Sequence, residues 1–212
     1  MIDYVEERDD FSEILITAEE IQTRVAEIGQ AISRDYRSLN PLLIGVLKGV
    51  VLFMADLLRQ ISIPVEVDFL AVSAYSPQEQ DQGFVRLVKD LDIPLMGRRV
   101  LFVEDVIDTG LTLSYLLRNL RTRAPTSIDV CVLFNKPAHR LIDYPLKYKG
   151  FDLPDRFVAG YGLDYRERYR HLPFVGILRP EVLENKKPAE GFGRSAGRRA
   201  GTRRQKKSRG PK

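Results

Sequence analysis

Cysteine is nearly absent from this sequence, and long uncharged apolar stretches are absent altogether. The 212 residues include one cysteine, Cys131, so no disulfide can form within the chain and a reducing compartment is expected. No uncharged apolar run approaches the roughly 18 residues that a membrane-spanning helix needs, since Lys48 interrupts the richest one, residues 41–55. The acidic N-terminus lacks the basic and apolar regions of a signal peptide. These absences predict a cytoplasmic protein with no membrane segment.

The net charge of +4 is unevenly distributed along the chain. Residues 186–212 contain eleven lysines or arginines and one acidic residue, which gives this segment +10 and leaves −6 on the rest. Its only aromatic residue is Phe192, so it cannot bury enough apolar surface to offset the entropy cost of ordering. The composition predicts an acidic folded domain, residues 1–185, and a disordered basic tail, residues 186–212. Such a tail would add at most weak, nonspecific, salt-sensitive contact with nucleic acid.

Apolar periodicity predicts alternating helices and strands before the tail. Residues 17–20 (TAEE) form a capping box, after which apolar residues recur at helical spacing. Short apolar runs bounded by turn residues are typical of buried strands. The predicted helices cover residues 17–36, 50–60 and 111–123, and the predicted strands cover 42–46, 64–72, 99–103, 128–134, 157–160 and 175–178. This order predicts an α/β fold with a mostly parallel sheet, and ligands of such folds bind at the carboxyl ends of the strands.

The segment from Arg99 to Thr112 (RVLFVEDVIDTGLT) carries the clearest chemical signal. An apolar strand ends in two adjacent acids, Glu104 and Asp105, and a third acid, Asp108, precedes the start of a helix. Backbone N–H groups at a helix N-terminus carry partial positive charge, so this turn can hold a phosphate. The carboxylate pair would repel a phosphate and therefore suits hydroxyl groups or a cation. Together these features predict a site for a ribose 5-phosphate.

This segment resembles the phosphoribosyl-pyrophosphate (PRPP) binding signature of the type I phosphoribosyltransferases. The resemblance covers most of residues 5–180 and narrows to the hypoxanthine/guanine branch of the family. Further segments carry it in the family's order: residues 47–49 (LKG), 134–140 (FNKPAHR) and 154–173 (PDRFVAGYGLDYRERYRHLP). It implies the type I phosphoribosyltransferase fold, in which helices flank a mostly parallel central sheet and a small hood region covers it.

The resemblance assigns the acidic turn to the ribose phosphate and to the attacking base. Asp108 would be the catalytic acid/base that faces N7 of the purine, because the base must lose a proton as it attacks. Glu104 and Asp105 would hold the ribose 2′- and 3′-hydroxyls, directly or through Mg²⁺. The 5′-phosphate would be held by the amides and hydroxyls of Thr109, Gly110, Leu111 and Thr112.

The leaving group would be bound by Lys48, Gly49 and Arg170. A planar guanidinium is well matched to pyrophosphate, and in the family the Lys-Gly peptide of this loop can be cis. The expected cofactor is Mg²⁺, which prefers carboxylates, waters and substrate phosphates. Its predicted protein ligands are Glu104, Asp105 and Asp164.

Purine recognition would fall to Lys136, Phe157 and Val158. The Lys136 ammonium is a donor only, so it suits a 6-oxo group and not the amino group of adenine. Phe157 would stack on the ring, and the backbone carbonyl of Val158 would meet donors on the ring edge. In the absence of the family, core packing would be the better expectation for Phe157.

A polar stretch, residues 76–83 (SPQEQDQG), predicts a lid, because it is long for a connection and has no apolar anchor. Tyr75 belongs to this lid. The family usually presents Ser-Tyr here, whereas this chain has Ala74-Tyr75, which removes one hydroxyl. The resemblance implies no fixed role for His139 or His171, and both are expected to be structural or solvated.

The expected activity is purine salvage: N9 of hypoxanthine or guanine displaces pyrophosphate from C1 of PRPP and gives IMP or GMP. Two alternatives stay open, a transferase for another base such as xanthine, orotate or uracil, and a nucleic-acid-binding regulator with the same fold. The second is disfavoured because Asp108, Lys48-Gly49 and Arg170 are all present. The resemblance also implies a homodimer or homotetramer.

Overall fold

A computed structural model describes residues 5–74 and 85–184 of the chain. The predicted lid, which includes Tyr75 and residues 76–83, lies outside the described residues. The predicted basic tail, residues 186–212, lies outside them as well. Both assignments therefore stay predictions.

Helices and strands alternate through most of the described chain. The helices are α1 (Val5–Arg8), α2 (Ala18–Asp35), α3 (Val51–Gln60), α4 (Leu111–Arg121) and α5 (Pro180–Glu184), with a short 3₁₀ helix at Pro137–His139. The strands are β1 (Phe11–Ile16), β2 (Leu42–Leu47), β3 (Glu66–Ala74), β4 (Val85–Lys89), β5 (Arg99–Ile107), β6 (Ser127–Asn135), β7 (Tyr148–Asp152), β8 (Val158–Ala159) and β9 (Val175–Leu178).

The main sheet has the strand order β4-β3-β2-β5-β6-β7 within the described residues. All neighbouring strands are parallel except the edge strand β4, which is antiparallel to β3. The prediction of an α/β fold with a mostly parallel sheet is confirmed. Because β2, β5 and β6 run in the same direction, their carboxyl ends and the loops that follow them meet at one edge of the sheet.

Helices cover both faces of the main sheet. Helix α2 begins where the sequence predicts it, since the Thr17 hydroxyl accepts the N–H of Glu20 and the Glu20 carboxylate accepts the N–H of Thr17. The apolar side of α2 packs with α3 against one face, and α4 packs against the other face. Apolar side chains at helical spacing fill these two layers, among them Ile21, Val25, Ile32, Phe53 and Leu57 on one side and Leu113, Leu116, Leu117 and Leu120 on the other.

A second, antiparallel sheet with the order β1-β9-β8 forms the expected hood. Its own apolar cluster centres on Phe11, whose ring meets Tyr169 and Phe174 edge-on at centroid distances of 5.5 and 5.3 Å. The chain between β8 and β9 returns to the main sheet, where the Tyr161 hydroxyl donates to Asp56 of α3 at 2.6 Å. This return brings residues 160–170 to the carboxyl ends of the main strands.

Across residues 5–74 and 85–184, none of the helices combines the length and the apolar character needed to cross a lipid bilayer.

Candidate active site

The loops at the carboxyl ends of β2, β5 and β6 and the segment between β8 and β9 enclose a cavity of about 240 Å³. Residues from four separate parts of the sequence therefore line one site, as the resemblance requires. The predicted site residues that line it are Gly49, Asp105, Asp108, Lys136, Phe157, Val158, Asp164 and Arg170.

Glu104 is a predicted site residue, but its side chain points away from this cavity and does not line it. Successive side chains of β5 point to opposite faces of the sheet, so Glu104 and Asp105 diverge. Glu104 is only 8% exposed, and burial, followed by the charge of Asp105, raises the pKa of its carboxyl well above the usual range. The prediction placed both acids at the end of a strand over 99–103. The strand in fact continues through them to Ile107, because its backbone keeps pairing with β6 as far as Asn135.

Asp105 lies at the centre of the site beside a second acid and an arginine. Loss of water around its carboxylate raises the pKa of Asp105 to about 6, and Asp164 adds to the rise. The N–H of Val106, which donates to Asp105 Oδ1 at 2.7 Å, and the charge of Arg170 oppose it. The Asp105 carboxylate therefore lacks full compensation for its charge within the protein.

The turn after β5 has the form of an anion site at the start of α4. Gly110 is the N-cap of α4 in the left-handed region, with φ of 82°, and a Cβ there would lie 2.5 Å from the carbonyl oxygen of Ile142. It offers no side chain to cap the helix, which leaves the first turn of α4 suited to a phosphate. The Thr109 carbonyl accepts the N–H groups of Leu141 and Ile142 at 2.9 and 3.1 Å, which fixes this turn against the loop after β6.

Asp108, the predicted acid/base, faces a histidine and a lysine from the loop after β6. Its Oδ1 lies 2.8 Å from His139 Nδ1, and its Oδ2 lies 4.0 Å from Lys136 Nζ. The Asp108 carboxyl is 47% exposed and lines the cavity, so a ligand can reach it. The Lys136 side chain is only 12% exposed, and its ammonium donates to the carbonyl of Arg156 at 3.1 Å.

The residues predicted to bind pyrophosphate form ion pairs with neighbouring carboxylates. Arg170 Nη2 lies 2.7 Å from Asp164 Oδ1, and its Nη1 donates to the carbonyl of Gly162 at 2.7 Å. Glu167 pairs with Lys48 at 3.1 Å and with Arg170 at 3.4 Å. The buried Arg170 Nε has no hydrogen-bond partner within the described residues. One glutamate thus contacts both cations that the prediction assigns to pyrophosphate.

The loop of Lys48 and Gly49 is closely packed against its neighbours. A Cβ on Gly49 would lie 1.7 Å from Asp105 Oδ2, and a Cβ on Gly162 would lie 2.2 Å from the Gly49 carbonyl oxygen. The cis peptide of this loop joins Leu47 to Lys48, one bond earlier than the resemblance suggests.

Phe157, which is predicted to stack on the purine, presents an exposed aromatic ring. Phe157 is 44% exposed and lines the cavity, and its ring is braced edge-on by Tyr165 at a centroid distance of 5.5 Å. Core packing, the ordinary expectation for a phenylalanine, does not account for this position. Val158 lies beside it in β8 with its side chain buried.

The described residues contain no group of three or more histidines, cysteines, aspartates or glutamates that could hold a metal ion by themselves. Of the three predicted metal ligands, Asp105 and Asp164 line the cavity, whereas Glu104 does not.

Sequence reasoning missed three charged residues of this site: His139, Asp155 and Glu167. His139 contacts Asp108 through one ring nitrogen and Asp155 through the other. All three lie within the segments that carry the resemblance, but the prediction gave binding roles to neighbouring lysines and arginines and none to these three residues. Glu167 has one near partner, Arg170, three residues away, but the other partners of these residues are 16 to 119 residues away in sequence, so spacing gave no signal of those contacts.

Comparison with known proteins agrees with this geometry. A family model described as the phosphoribosyl transferase domain matches residues 14–166. The chain therefore belongs to the phosphoribosyltransferase family.

Within that family, the relatives are bacterial hypoxanthine-guanine phosphoribosyltransferases. The enzyme of Mycobacterium tuberculosis is 50% identical over 181 residues, which cover 82% of this chain and 90% of the relative. That of Bacillus subtilis is 47% identical over 176 residues, covering 83% and 98%. The crystal structure of a hypoxanthine phosphoribosyltransferase from Staphylococcus aureus superposes with a TM-score of 0.83 at 38% identity, covering 87% of this chain and all of that one. These matches assign the chain to the hypoxanthine-guanine branch.

Proposed function

We propose that this protein transfers the 5-phosphoribosyl group of PRPP to N9 of hypoxanthine or guanine and releases pyrophosphate. The observation that carries the proposal is the convergence of Asp108, Lys136, Phe157, Gly49 and Arg170 on one cavity. The activity of the named bacterial relatives supports the same reaction.

At the purine end, Lys136 selects the base. A partly buried ammonium can only donate, so it favours the 6-oxo group of hypoxanthine or guanine over the amino group of adenine. Phe157 would contribute a stacking face, and the Val158 carbonyl would accept a hydrogen bond from the ring edge. Asp108 would take the proton that the base loses as N9 attacks C1.

At the ribose end, the turn from Thr109 to Thr112 holds the 5′-phosphate. The N-terminus of α4 attracts the anion, and Gly110 at the N-cap has no side chain to compete for the first N–H groups of the helix. Asp105 would accept hydrogen bonds from ribose hydroxyls, and Glu104 remains a predicted contact to the same group.

At the leaving-group end, Arg170, Lys48 and the Gly49 amide stabilise the departing pyrophosphate. Positive groups that are already in place where negative charge develops lower the barrier most effectively. Glu167 pairs with both cations, so pyrophosphate would compete with this carboxylate for them.

Asp105 and Asp164 would hold Mg²⁺ together with oxygens of PRPP. Carboxylate oxygens are ligands that Mg²⁺ prefers, and the raised pKa of Asp105 indicates a carboxylate that a divalent cation would stabilise. When bound, Mg²⁺ would neutralise part of the charge that develops on the leaving group.

The resemblance further supports a homodimer or homotetramer, which light scattering on the purified chain tests directly.

The direct test incubates the purified full-length chain with PRPP, Mg²⁺ and a panel of bases and measures nucleotides after a single turnover. We expect IMP from hypoxanthine, GMP from guanine, stoichiometric pyrophosphate and no AMP from adenine. Arms with xanthine, orotate and uracil test the alternative transferases. No nucleotide from any base, together with no heat in calorimetry with PRPP and Mg²⁺, would refute the proposal, and retention of RNA by such an inactive protein would favour the regulator.

Replacing Lys136 by methionine is expected to raise the KM for hypoxanthine and guanine by about ten- to a hundredfold, the value of a charge-assisted hydrogen bond. The KM for PRPP should change little, because this side chain faces the purine end of the site. Steady-state kinetics with each substrate varied in turn measures the two effects. Lys149→Met is a matched control, since the Lys149 ammonium pairs with Asp152 and does not line the cavity. An unchanged KM for both purines would contradict the assignment.

A further inference from the structure

His139 joins the predicted acid/base to a second carboxylate across the mouth of the site. Its Nδ1 lies 2.8 Å from Asp108 Oδ1, and its Nε2 contacts Asp155 Oδ1. Asp108 belongs to the turn after β5, whereas Asp155 belongs to the loop before β8, two residues from Phe157. The imidazole ring therefore connects the phosphate turn to the purine-binding loop.

The backbone around His139 is fixed on both sides, so the ring is not a freely moving surface group. The N–H of Lys136 donates to the Ile107 carbonyl at 3.0 Å, and the N–H of Leu141 donates to the Thr109 carbonyl at 2.9 Å. Between them the chain forms one turn of 3₁₀ helix that ends at His139. Because both flanking bonds end on the turn that carries Asp108, His139 and Asp108 are held at a defined separation.

The partners of the ring determine which hydrogen bonds it can form. Each ring nitrogen faces a carboxylate oxygen, which can only accept a hydrogen bond when ionised. A neutral imidazole has a single N–H and would leave one nitrogen lone pair against a carboxylate, whereas the imidazolium donates to both. Two cationic side chains also lie near Asp108: Lys136, whose ammonium lies 4.0 Å from Oδ2, and Arg140, whose charge interacts with this carboxylate.

We propose that His139, braced by Asp155, is a positioning residue that orients Asp108 for proton transfer. This inference rests on the ribosyl transfer proposed above. The ring holds Asp108 by Oδ1 and leaves Oδ2 directed toward Lys136 and the cavity, where the purine N7 would lie.

Two substitutions separate the two contacts of the ring. Asparagine places its amide nitrogen near the position of Nδ1 and keeps a donor toward Asp108, whereas glutamine places it near the position of Nε2 and keeps a donor toward Asp155. We expect His139→Gln to lower kcat about tenfold, roughly the effect of losing a charge-assisted hydrogen bond to Asp108. We expect His139→Asn to lower kcat only about two- to threefold, because it keeps part of that hydrogen bond. The KM for PRPP should stay within about twofold in both.

His171→Gln is the matched control. His171 also pairs with a carboxylate, Glu7 Oε2 at 2.8 Å, but it does not line the cavity. Its substitution should leave kcat unchanged. Equal losses in the asparagine and glutamine variants of His139, or no loss in either, would overturn the inference.

A double variant tests whether His139 acts through Asp108. In an Asp108→Asn background, His139→Gln should cause no further fall in kcat, because the group that it orients can no longer accept a proton. A further tenfold fall would show that His139 acts independently, and the inference would be wrong. The wild-type assay keeps the two hypotheses apart: an inactive wild type contradicts the proposed function, whereas an active wild type with unaffected His139 variants contradicts only the positioning role.

The hydrogen bond from Nδ1 to Asp108 can be observed directly by ¹⁵N NMR. The chain contains two histidines, so the His171→Gln variant assigns both rings. We expect Nδ1 of His139 to show the chemical shift of a nitrogen that carries hydrogen. An Nδ1 without hydrogen would contradict the contact through which His139 orients Asp108.

Discussion

Replacing Asp108 by asparagine is expected to lower kcat by about 10²–10⁴-fold while PRPP continues to bind. Asparagine has the same shape but cannot accept the proton that the purine loses, and the phosphate turn relies on backbone groups that the substitution leaves in place. The Thr109 carbonyl still accepts the N–H groups of Leu141 and Ile142, so the turn should keep its conformation. Single-turnover kinetics measures the chemical step, and calorimetry with PRPP and Mg²⁺ measures binding.

Asp143→Asn provides the control for removing one acid near this loop. The Asp143 side chain is exposed and accepts the N–H of Tyr144 at 2.9 Å, and it does not line the 240 Å³ cavity. Its substitution should leave turnover unchanged. Wild-type turnover in Asp108→Asn would exclude an acid/base role for Asp108, and loss of PRPP binding with turnover at saturation retained would make Asp108 a binding residue instead.

The elements with strong local signals were predictable from sequence. The capping box and the apolar periodicity placed α2 at residues 17–36, and the helix runs from Ala18 to Asp35. The strand predicted at residues 175–178 is confirmed without change as β9. In these segments the local hydrogen bonds and the buried face both depend on neighbouring residues, so a short window of sequence contains the relevant information.

Three strands were not predicted from the sequence: β1, β7 and the edge strand β4, which pairs with the neighbouring strand β3. β1 pairs with β9, so that Phe11 lies opposite Leu178, and β7 pairs with β6 only at the edge of the main sheet. Neither β1 nor β7 has a long apolar run, because each exposes several of its side chains. Pairing across more than 160 residues decides the structure of β1, and no short-range pattern reports it.

The candidate site was likewise predictable from sequence only in part. Motifs located the residues on each loop, and the fold then brought Asp108, Lys136 and Arg170 to one cavity. Motifs did not predict which charges pair in the ligand-free protein, such as Glu167 with Lys48, because these contacts join loops from opposite ends of the chain. They also did not predict that Glu104 is buried away from the cavity, since that follows from how far β5 continues.

Replacing Gly49 by alanine should lower kcat/KM for PRPP by about a hundredfold or more. The added Cβ would lie 1.7 Å from Asp105 Oδ2, so either the carboxylate or the backbone of the loop must move. The loop has little room to move away from Asp105, because the Gly49 carbonyl oxygen packs closely against Gly162. A Cβ added to Gly162 would lie only 2.2 Å from this oxygen. A displacement of about 1 Å in groups that position a substrate typically costs about 10²-fold in rate.

Initial rates over a range of PRPP concentrations measure the effect of Gly49→Ala, and circular dichroism confirms that the variant folds. Gly97→Ala is the informative comparison. Gly97 has φ of 73° and no atom within 4 Å of an added Cβ, so alanine there costs about 1 kcal/mol of stability through its backbone conformation alone. That variant should keep full activity at a lower melting temperature. If Gly49→Ala behaved in the same way, backbone strain would account for both, and the close contact between Gly49 and Asp105 would have no part in binding PRPP.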